Sequence, residues 1–251
     1  MNTGALLKNW DTRDVTDRPI FFTHIPKTAG TSLHKSVFAP HYRASDMRSP
    51  RGVRSLLADR SSFRYMHGHM PYGYHRFFST PRQPLYFVVL RDPIERAISH
   101  YYNILHPRGD KEVPDHPDFE VAKARDLVEF YQLPRFQNVQ TRIVAGIASN
   151  YVGKSFSLNR AGKIVLRLAK RNLRTAYAGV GVTEKFEETK RRFASCLGGA
   201  TRTLNERPKV VPDRPTADDL SVSQRDALRH LNRLDVELYD YACKLFERGR
   251  N

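Results

Sequence analysis

The pattern of apolar and polar residues alternates between short apolar runs and longer stretches with helical periodicity. Four apolar runs have strand length, at Ile20–Ile25 (IFFTHI), Phe63–Met66, Leu85–Leu90 (LYFVVL) and Tyr177–Val182 (YAGVGV). The run LYFVVL contains no polar position, which is typical of a strand buried on both faces of a parallel sheet. These four runs are predicted to form the sheet.

Helical patterns lie between the strands. Pro26 and Gly30 interrupt the first apolar run, and a helix is predicted from about Thr31 to Phe38. Asp92 as N-cap and Pro93 as first residue begin another, which runs to Leu105. Further helical periodicity covers residues 118–132, 135–146, 160–176, 184–196 and 221–248, with a short patch at 53–58.

Strands that alternate with helices predict an α/β fold in which crossovers join parallel strands. The expected architecture is a single domain with a central parallel sheet flanked by helices. Residues 1–18 are predicted to be a mobile leader, and residues 19–251 the domain.

The composition adds a strong positive charge. The chain has 251 residues, of which 40% are hydrophobic, so wholesale disorder is excluded. Lys and Arg number 42 against 26 Asp and Glu, a formal net charge of 42 − 26 = +16. This surplus indicates an anionic partner such as a nucleotide, an acidic polysaccharide, a nucleic acid or a membrane surface, although a generally basic surface also explains it. No stacking pattern or base-reading motif favours nucleic acid.

Targeting and redox signals are sparse. No stretch approaches ~20 consecutive apolar residues, so no membrane span is predicted, and no segment has the apolar core of a signal peptide. The chain as given is therefore expected to be soluble and cytoplasmic. Its two cysteines, Cys196 and Cys243, have no metal-ligand spacing and are interpreted as unpaired thiols, with one long-range disulfide as the alternative.

The turn after the first strand has the chemistry of a phosphate site. Backbone N–H groups and the positive end of the next helix converge there. The turn also offers an ammonium, hydroxyl groups and a glycine that permits close approach, and its candidate ligands are Lys27, Thr28, Ala29, Gly30, Thr31 and Ser32. The spacing differs from a Walker A loop, because the lysine precedes the glycine. The alternative is a helix start with a solvated lysine.

A second candidate phosphate site follows the strand LYFVVL. Arg91 comes directly after this strand, and ligands of parallel sheets bind beyond the carboxyl ends of the strands. Ser99 lies about two helical turns into the following helix, where it can face the same ligand. An arginine and a hydroxyl together suit a phosphate.

A candidate base lies in the segment His67-Gly68-His69. Residues two apart on a strand face the same side, so both rings are expected to face one cleft. A neutral histidine can take a proton from an attacking hydroxyl near pH 7. The alternatives are two partly exposed loop histidines, or a zinc site that would lack a carboxylate or cysteine ligand. No metal is therefore expected.

Together, HIPKTAGTSL (residues 24–33), HGH (67–69) and RDPIERAISHYY (91–102) resemble the carbohydrate sulfotransferases related to heparan sulfate 2-O-sulfotransferase. Weaker similarity continues through NVQTRIVAG (138–146) and VGVTEKFEE (180–188). The resemblance implies a P-loop-like fold and 3′-phosphoadenosine-5′-phosphosulfate as sulfuryl donor, without a metal. It also implies a carbohydrate acceptor, and the positive charge fits an anionic one.

The resemblance implies a role for each candidate. Lys27 and its loop hold the 5′-phosphosulfate, with Lys27 also stabilising the leaving phosphate, while Arg91 and Ser99 hold the 3′-phosphate. His69 is the general base, and His67 is a weaker candidate that orients the base or the acceptor. The loop at 107–117 lines the acceptor cleft, and a late basic loop with Lys209 closes over the nucleotide.

Two other functions compete with sulfuryl transfer. One is a phosphate- or polyanion-binding protein without catalysis, which would scarcely depend on His69 or Lys27. The other is a nucleotide kinase with a degenerate loop, which the absent Walker lysine disfavours.

Overall fold

A five-stranded parallel sheet forms the centre of the protein. The computed structural model describes residues 18–50, 63–78, 82–106, 115–155, 161–198 and 214–249, and of 152–155 only the backbone. The strands are β1 (Ile20–Thr23), β2 (Met47–Arg48), β3 (Tyr65–Gly68), β4 (Leu85–Leu90) and β5 (Tyr177–Val182). They pair in the order β2-β3-β1-β4-β5, and each neighbouring pair is parallel. The predicted parallel sheet is confirmed, with two differences: the short edge strand β2 was not predicted, and β3 starts two residues later than Phe63.

Ten α-helices lie among the described residues. They are α1 (Gly30–Leu33, continued by a π-helical turn, His34–Phe38), α2 (Pro93–Leu105), α3 (Phe119–Lys123), α4 (Leu127–Gln132), α5 (Val139–Ala145), α6 (Ile147–Ser155), α7 (Gly162–Thr175), α8 (Phe186–Cys196), α9 (Val222–Leu231) and α10 (Arg233–Arg248). Helix α2 begins as predicted, because the Asp92 carboxylate accepts from the amides of Ile94 and Glu95 and Pro93 follows it. Helix α6 was not predicted.

Two predicted long helices are each split by a polar residue. Asp126 forms a capping box with Glu129 and so starts α4 within the predicted helix 118–132. Asn232 divides the predicted helix 221–248, because its side chain bonds the carbonyl of Leu228 and the amide of Asn138. The prediction of a single helix in each region was therefore wrong. It was made because the apolar periodicity continues across both breaks.

Alternate residues of the strands pack into separate cores on the two faces of the sheet. One core joins Phe21 and Val88 to α5, α7 and α10, and the other joins Phe22 and Phe87 to α1 and α8. A third cluster packs α2 against α3, α4 and α9. Helices therefore cover both faces and leave the carboxyl edge of the sheet to the loops.

Several sequence predictions fall outside the described residues: the leader up to residue 17, the helical patch at 53–58, most of the loop at 107–117, and Lys209. Cys196 and Cys243 are unpaired, as predicted. Within the described ranges no helix is long and apolar enough to cross a membrane. The cytoplasmic location stays a prediction.

Candidate active site

Three neighbouring strands bring the three predicted motifs to one edge of the sheet. Lys27 follows β1, His69 follows β3 and Arg91 follows β4, and β1 lies between the other two strands. Because all three strands are parallel, their carboxyl ends meet at the same edge. The candidate phosphate loop is therefore flanked by the candidate base on one side and by Arg91 on the other.

The phosphate loop is a tight turn with an unusual backbone. Lys27 and Ala29 have φ angles of 70° and 60°, in the left-handed region that residues other than glycine rarely adopt. Such conformations cost about 1–3 kcal/mol each and concentrate at ligand sites. The Thr28 hydroxyl donates to the carbonyl of Ile25 over 3.0 Å and is buried, so this side chain holds the turn together. Thr31 is exposed and Ser32 is partly exposed at the start of α1.

Gly30 is required by a neighbouring histidine. A Cβ atom at this position would lie 2.1 Å from Cδ2 of His24, far inside any real contact. The His24 ring thus lies directly against the start of α1, and only glycine leaves room for it. Glycine at position 30 is therefore explained by packing against His24, in addition to the predicted close approach of the backbone to a phosphate.

Lys27 and Ser99 are linked through helix α2. The Lys27 ammonium donates a 2.8 Å hydrogen bond to Oδ1 of Asn103. Asn103 lies four residues after Ser99, so both side chains share one face of α2. Ser99 is largely buried, with 7% of its surface exposed. The sequence analysis missed Asn103, although its helical spacing from Ser99 was a usable signal.

Arg91 is held by its backbone and its side chain. Gln140 accepts from the Arg91 amide at 3.0 Å and donates to its carbonyl at 2.9 Å. The guanidinium donates to the carbonyl of Lys27 at 3.3 Å and pairs with Glu95 at 3.0 Å. Burial lowers the pKa of Arg91, an effect that leaves it cationic. The two predicted phosphate loops are therefore joined directly by Arg91.

Four imidazole rings cluster beside the phosphate loop. The rings of His34 and His67 stack with centroids 3.8 Å apart, and those of His24 and His69 lie 4.8 Å apart. Burial, then the charge of His69, lowers the pKa of His24 to about 3. Burial, then the charge of His34, lowers the pKa of His67 to about 4. His24 and His67 are therefore neutral at pH 7.

His69 differs from the other three rings by being exposed. Its Nδ1 atom lies 2.6 Å from the backbone carbonyl oxygen of His24. Because a carbonyl oxygen can only accept, Nδ1 carries the proton in the neutral ring, and Nε2 is left with a free lone pair. His69 is thus oriented to take a proton at Nε2, whereas the His67 ring is stacked against the rings of both His34 and Tyr65.

The arrangement can bind phosphate groups at two places and accept a proton at a third. Among the described residues, no group of three or more His, Cys, Asp and Glu side chains is placed to hold a metal ion. The roles of the individual residues stay predictions, and that of Lys209 lies outside the described residues. His24 and His34 were not predicted as site residues from the sequence, yet their rings contact those of His69 and His67.

Comparison with known proteins gives consistent matches over most of the chain. The family model described as the sulfotransferase family matches residues 10–242. Heparan sulfate 2-O-sulfotransferase 1 of Homo sapiens is 25% identical over 266 residues, which cover 92% of this chain and 71% of that protein. The Caenorhabditis elegans heparan sulfate 2-O-sulfotransferase is 24% identical over 98% of this chain and 83% of its own length. Heparan-sulfate 6-O-sulfotransferase 1 of Cricetulus griseus is 30% identical over 67% of this chain and 46% of its own.

Proposed function

The chain belongs to the sulfotransferase family, and from this premise we propose that it transfers a sulfuryl group from 3′-phosphoadenosine-5′-phosphosulfate to a hydroxyl of a carbohydrate. His69 is the general base of this reaction. The observation that carries the proposal is the alignment of Lys27, His69 and Arg91 on three adjacent strand ends, with Nδ1 of His69 bonded to the carbonyl oxygen of His24.

The donor would bind along the carboxyl edge of the sheet. The phosphate loop from Lys27 to Ser32 holds the 5′-phosphosulfate with its amides and the Lys27 ammonium. Arg91 and Ser99 hold the 3′-phosphate. The hydrogen bonds from Lys27 to Asn103 and from Arg91 to the Lys27 carbonyl support this division, because they fix both cations relative to one another.

The reaction is an in-line exchange of two S–O bonds. The acceptor oxygen forms a bond to sulfur while the bond between sulfur and the bridging oxygen of the 5′-phosphate breaks. The acceptor proton passes to Nε2 of His69, and the electron pair of the broken bond stays on the 5′-phosphate. Lys27 and the loop amides stabilise that growing negative charge, so positioning and electrostatics carry the catalysis.

The acceptor is assigned as an anionic glycan. The similar proteins named above are heparan sulfate 2-O- and 6-O-sulfotransferases, so a polymeric sulfated sugar is the natural substrate class. The net charge of +16 supports a polyanionic acceptor. The comparisons include both 2-O and 6-O enzymes, so the position of the acceptor hydroxyl is left to experiment.

A transfer assay tests this function. The protein is incubated with donor carrying labelled sulfate and with a panel of acceptors: a heparan-type glycan, a neutral glycan, a small phenol and a tyrosine peptide. Label should enter the heparan-type glycan, and transfer should fall steeply with added salt, because ion pairs at the surface are screened over ~10 Å at 0.1 M. Lys27→Ala should lower the transfer rate by about 10²–10³, whereas Lys163→Ala, at an exposed lysine on α7, should leave it unchanged.

The outcomes separate the alternatives. Transfer only to the phenol or the peptide would assign a different acceptor class. Binding of the glycan with no transfer to any acceptor would favour a polyanion-binding protein and contradict the proposed reaction.

A further inference from the structure

The outer face of helix α7 carries a row of three exposed arginines. Arg167, Arg171 and Arg174 are four and three residues apart in the chain, so their side chains lie on the same face of the helix. At a rise of 1.5 Å per residue, the row extends over about 10 Å along the helix axis. The three guanidinium groups therefore form a linear array of positive charge in contact with solvent.

These arginines have no acidic partner within the part of the chain that the structure describes. Helix α7 itself contains no Asp or Glu, and neither do α5 and β5, which pack against it. Helix α10 also packs against α7, and its Glu237 is paired with Lys170 at 3.5 Å. The exposed Asp240 and Glu247 of α10 form no ion pair with the three arginines. The positive charge of the row is therefore not neutralised by these elements.

Helix α7 extends from the edge of the sheet that holds the candidate active site. Its last residue, Thr175, lies two positions before Tyr177, which begins β5 at the amino edge of the parallel sheet. Because α7 packs along the sheet, its first residue, Gly162, lies toward the carboxyl edge. The helix also packs against α5, whose Gln140 holds the backbone of Arg91. A long ligand that enters the site can therefore continue along α7.

The chemistry of this face fits an anionic glycan better than a membrane surface. Guanidinium groups bind carboxylate and sulfate oxygens through paired hydrogen bonds. A helix that lies on a membrane buries its apolar face in the lipid, but the apolar face of α7 is already buried in the protein. Only Ile164 and Leu168 are exposed large apolar side chains on this helix. They offer little apolar area for insertion into lipid.

We propose that Arg167, Arg171 and Arg174 form a docking track for the part of an anionic glycan that extends beyond the active site. This inference rests on the proposed function, whose acceptor is such a glycan. Acidic groups repeat along the glycan as the arginines repeat along the helix, so a long chain binds the site and the track together. The second contact is then intramolecular and raises the affinity for long chains. A short fragment that fills only the active site gains nothing from the track.

Binding of two heparin probes of different length tests the track. Titration calorimetry gives the dissociation constants of a heparin tetrasaccharide and of full-length heparin for wild type and for the triple variant Arg167→Ala, Arg171→Ala, Arg174→Ala. The variant should bind full-length heparin roughly fivefold to fiftyfold more weakly, as expected for three exposed ion pairs, and the tetrasaccharide within about twofold of wild type. Its affinity for full-length heparin should also depend less steeply on salt, because fewer charges are neutralised on binding.

A matched control removes three exposed cations from other helices, by Arg191→Ala, Arg229→Ala and Lys244→Ala in one protein. It has the same net charge as the track variant and should keep both wild-type affinities. An equal loss of heparin affinity in this control would show that net charge, and not the track, binds the chain.

The remaining outcomes are equally decisive. Unchanged binding of full-length heparin by the track variant, or equal weakening of both probes, would overturn the proposal. If the track variant keeps its heparin affinity but loses binding to vesicles of anionic phospholipid, the face contacts a membrane and the proposal is wrong. A wild-type protein that transfers no sulfate would contradict the proposed function, whereas the track is judged by binding alone.

Discussion

The ammonium of Lys27 and the amide of Asn103 form a 2.8 Å hydrogen bond that joins the phosphate loop to helix α2. Lys27 follows the central strand β1, and Asn103 lies near the end of the helix that follows β4. The bond holds a flexible side chain in one direction before any ligand arrives. Preorganised charge of this kind is the main source of electrostatic catalysis in enzymes.

Replacement of Asn103 should therefore slow transfer without abolishing it. Asn103→Ala removes the acceptor that orients Lys27, and we expect kcat to fall roughly tenfold, in line with one hydrogen bond to a charged group. For Lys27→Ala we expect kcat to fall by about 10²–10³, because the charge itself is lost. Initial rates at saturating donor and acceptor measure both. An unchanged rate for Asn103→Ala would show that its hydrogen bond to Lys27 does not contribute to catalysis. The control is Gln132→Ala, at an exposed amide side chain on α4, which should keep the wild-type rate.

The contact between Gly30 and His24 predicts a steric conflict that a second mutation relieves. Gly30→Ala places a methyl group 2.1 Å from Cδ2 of His24. Overpacking of this kind destabilises proteins by about 1–3 kcal/mol, and the displaced ring should also disturb His69. Denaturant titration should show the loss in Gly30→Ala. In the His24→Ala background the same substitution should cost clearly less, and equal costs in both backgrounds would be inconsistent with this contact.

The buried carboxylate of Asp235 holds the segment that positions Arg91. It accepts from the amides of Gln140 and Thr141 and from the Thr141 hydroxyl, at 3.2, 2.7 and 2.7 Å. Gln140 in turn bonds the backbone of Arg91. Asp235→Asn would turn an NH₂ group toward one of these donors, and we expect the free energy of unfolding to fall by about 2–4 kcal/mol. Urea titration measures this, with the exposed Asp240→Asn as a control that should change little.

Acid should destabilise the fold through the histidine cluster. The pKa values of His24 and His67 are about 3 and about 4 in the folded protein, below their ordinary 6.5. As the pH falls below 6.5, these histidines become protonated in the unfolded chain but remain neutral in the folded protein. The free energy of unfolding therefore decreases between about pH 6.5 and pH 4. The slope is at most about 1.4 kcal/mol per pH unit for each such histidine.

Urea titrations at pH 7 and pH 5 measure this dependence. His67→Gln should show a smaller loss of stability between the two pH values than wild type does. The exposed His230→Gln should keep the wild-type loss. If His67→Gln and wild type lose the same free energy, His67 is not held neutral by the fold.

The sequence allowed the architecture and the main motifs to be predicted, because both depend on local signals. Lys27 and Arg91 each follow a strand-length apolar run. Parallel strands have their carboxyl ends at the same edge of the sheet, so these two residues could be placed together without knowledge of the side-chain packing. Asp92 and Pro93 determine the start of α2 through bonds within four residues. Such short-range effects are visible in the sequence.

The remaining features depend on contacts between distant segments. Gln140 meets Arg91 across 49 positions, and Arg214 meets Glu95 across 119. Periodicity shows which helix face is buried but does not show which polar side chain it meets. The break at Asn232 has the same cause, since its partner Asn138 lies 94 residues away. The contact between His24 and His69 could likewise be predicted only with knowledge of the strand order, because the two residues follow different strands.

His69 is proposed to remove the acceptor proton, and a comparison of the transfer rate with the nucleotide affinity tests this role directly. His69→Ala is assayed for the single-turnover rate of sulfuryl transfer to a heparan-type glycan, and for the dissociation constant of adenosine 3′,5′-bisphosphate. If His69 is the base, the rate of His69→Ala should be lower by about 10²–10⁴ while its affinity for the nucleotide stays within about twofold of wild type. The exposed control, His230→Ala, should keep the wild-type rate and affinity. A His69→Ala protein that transfers sulfate at the wild-type rate would contradict the claim.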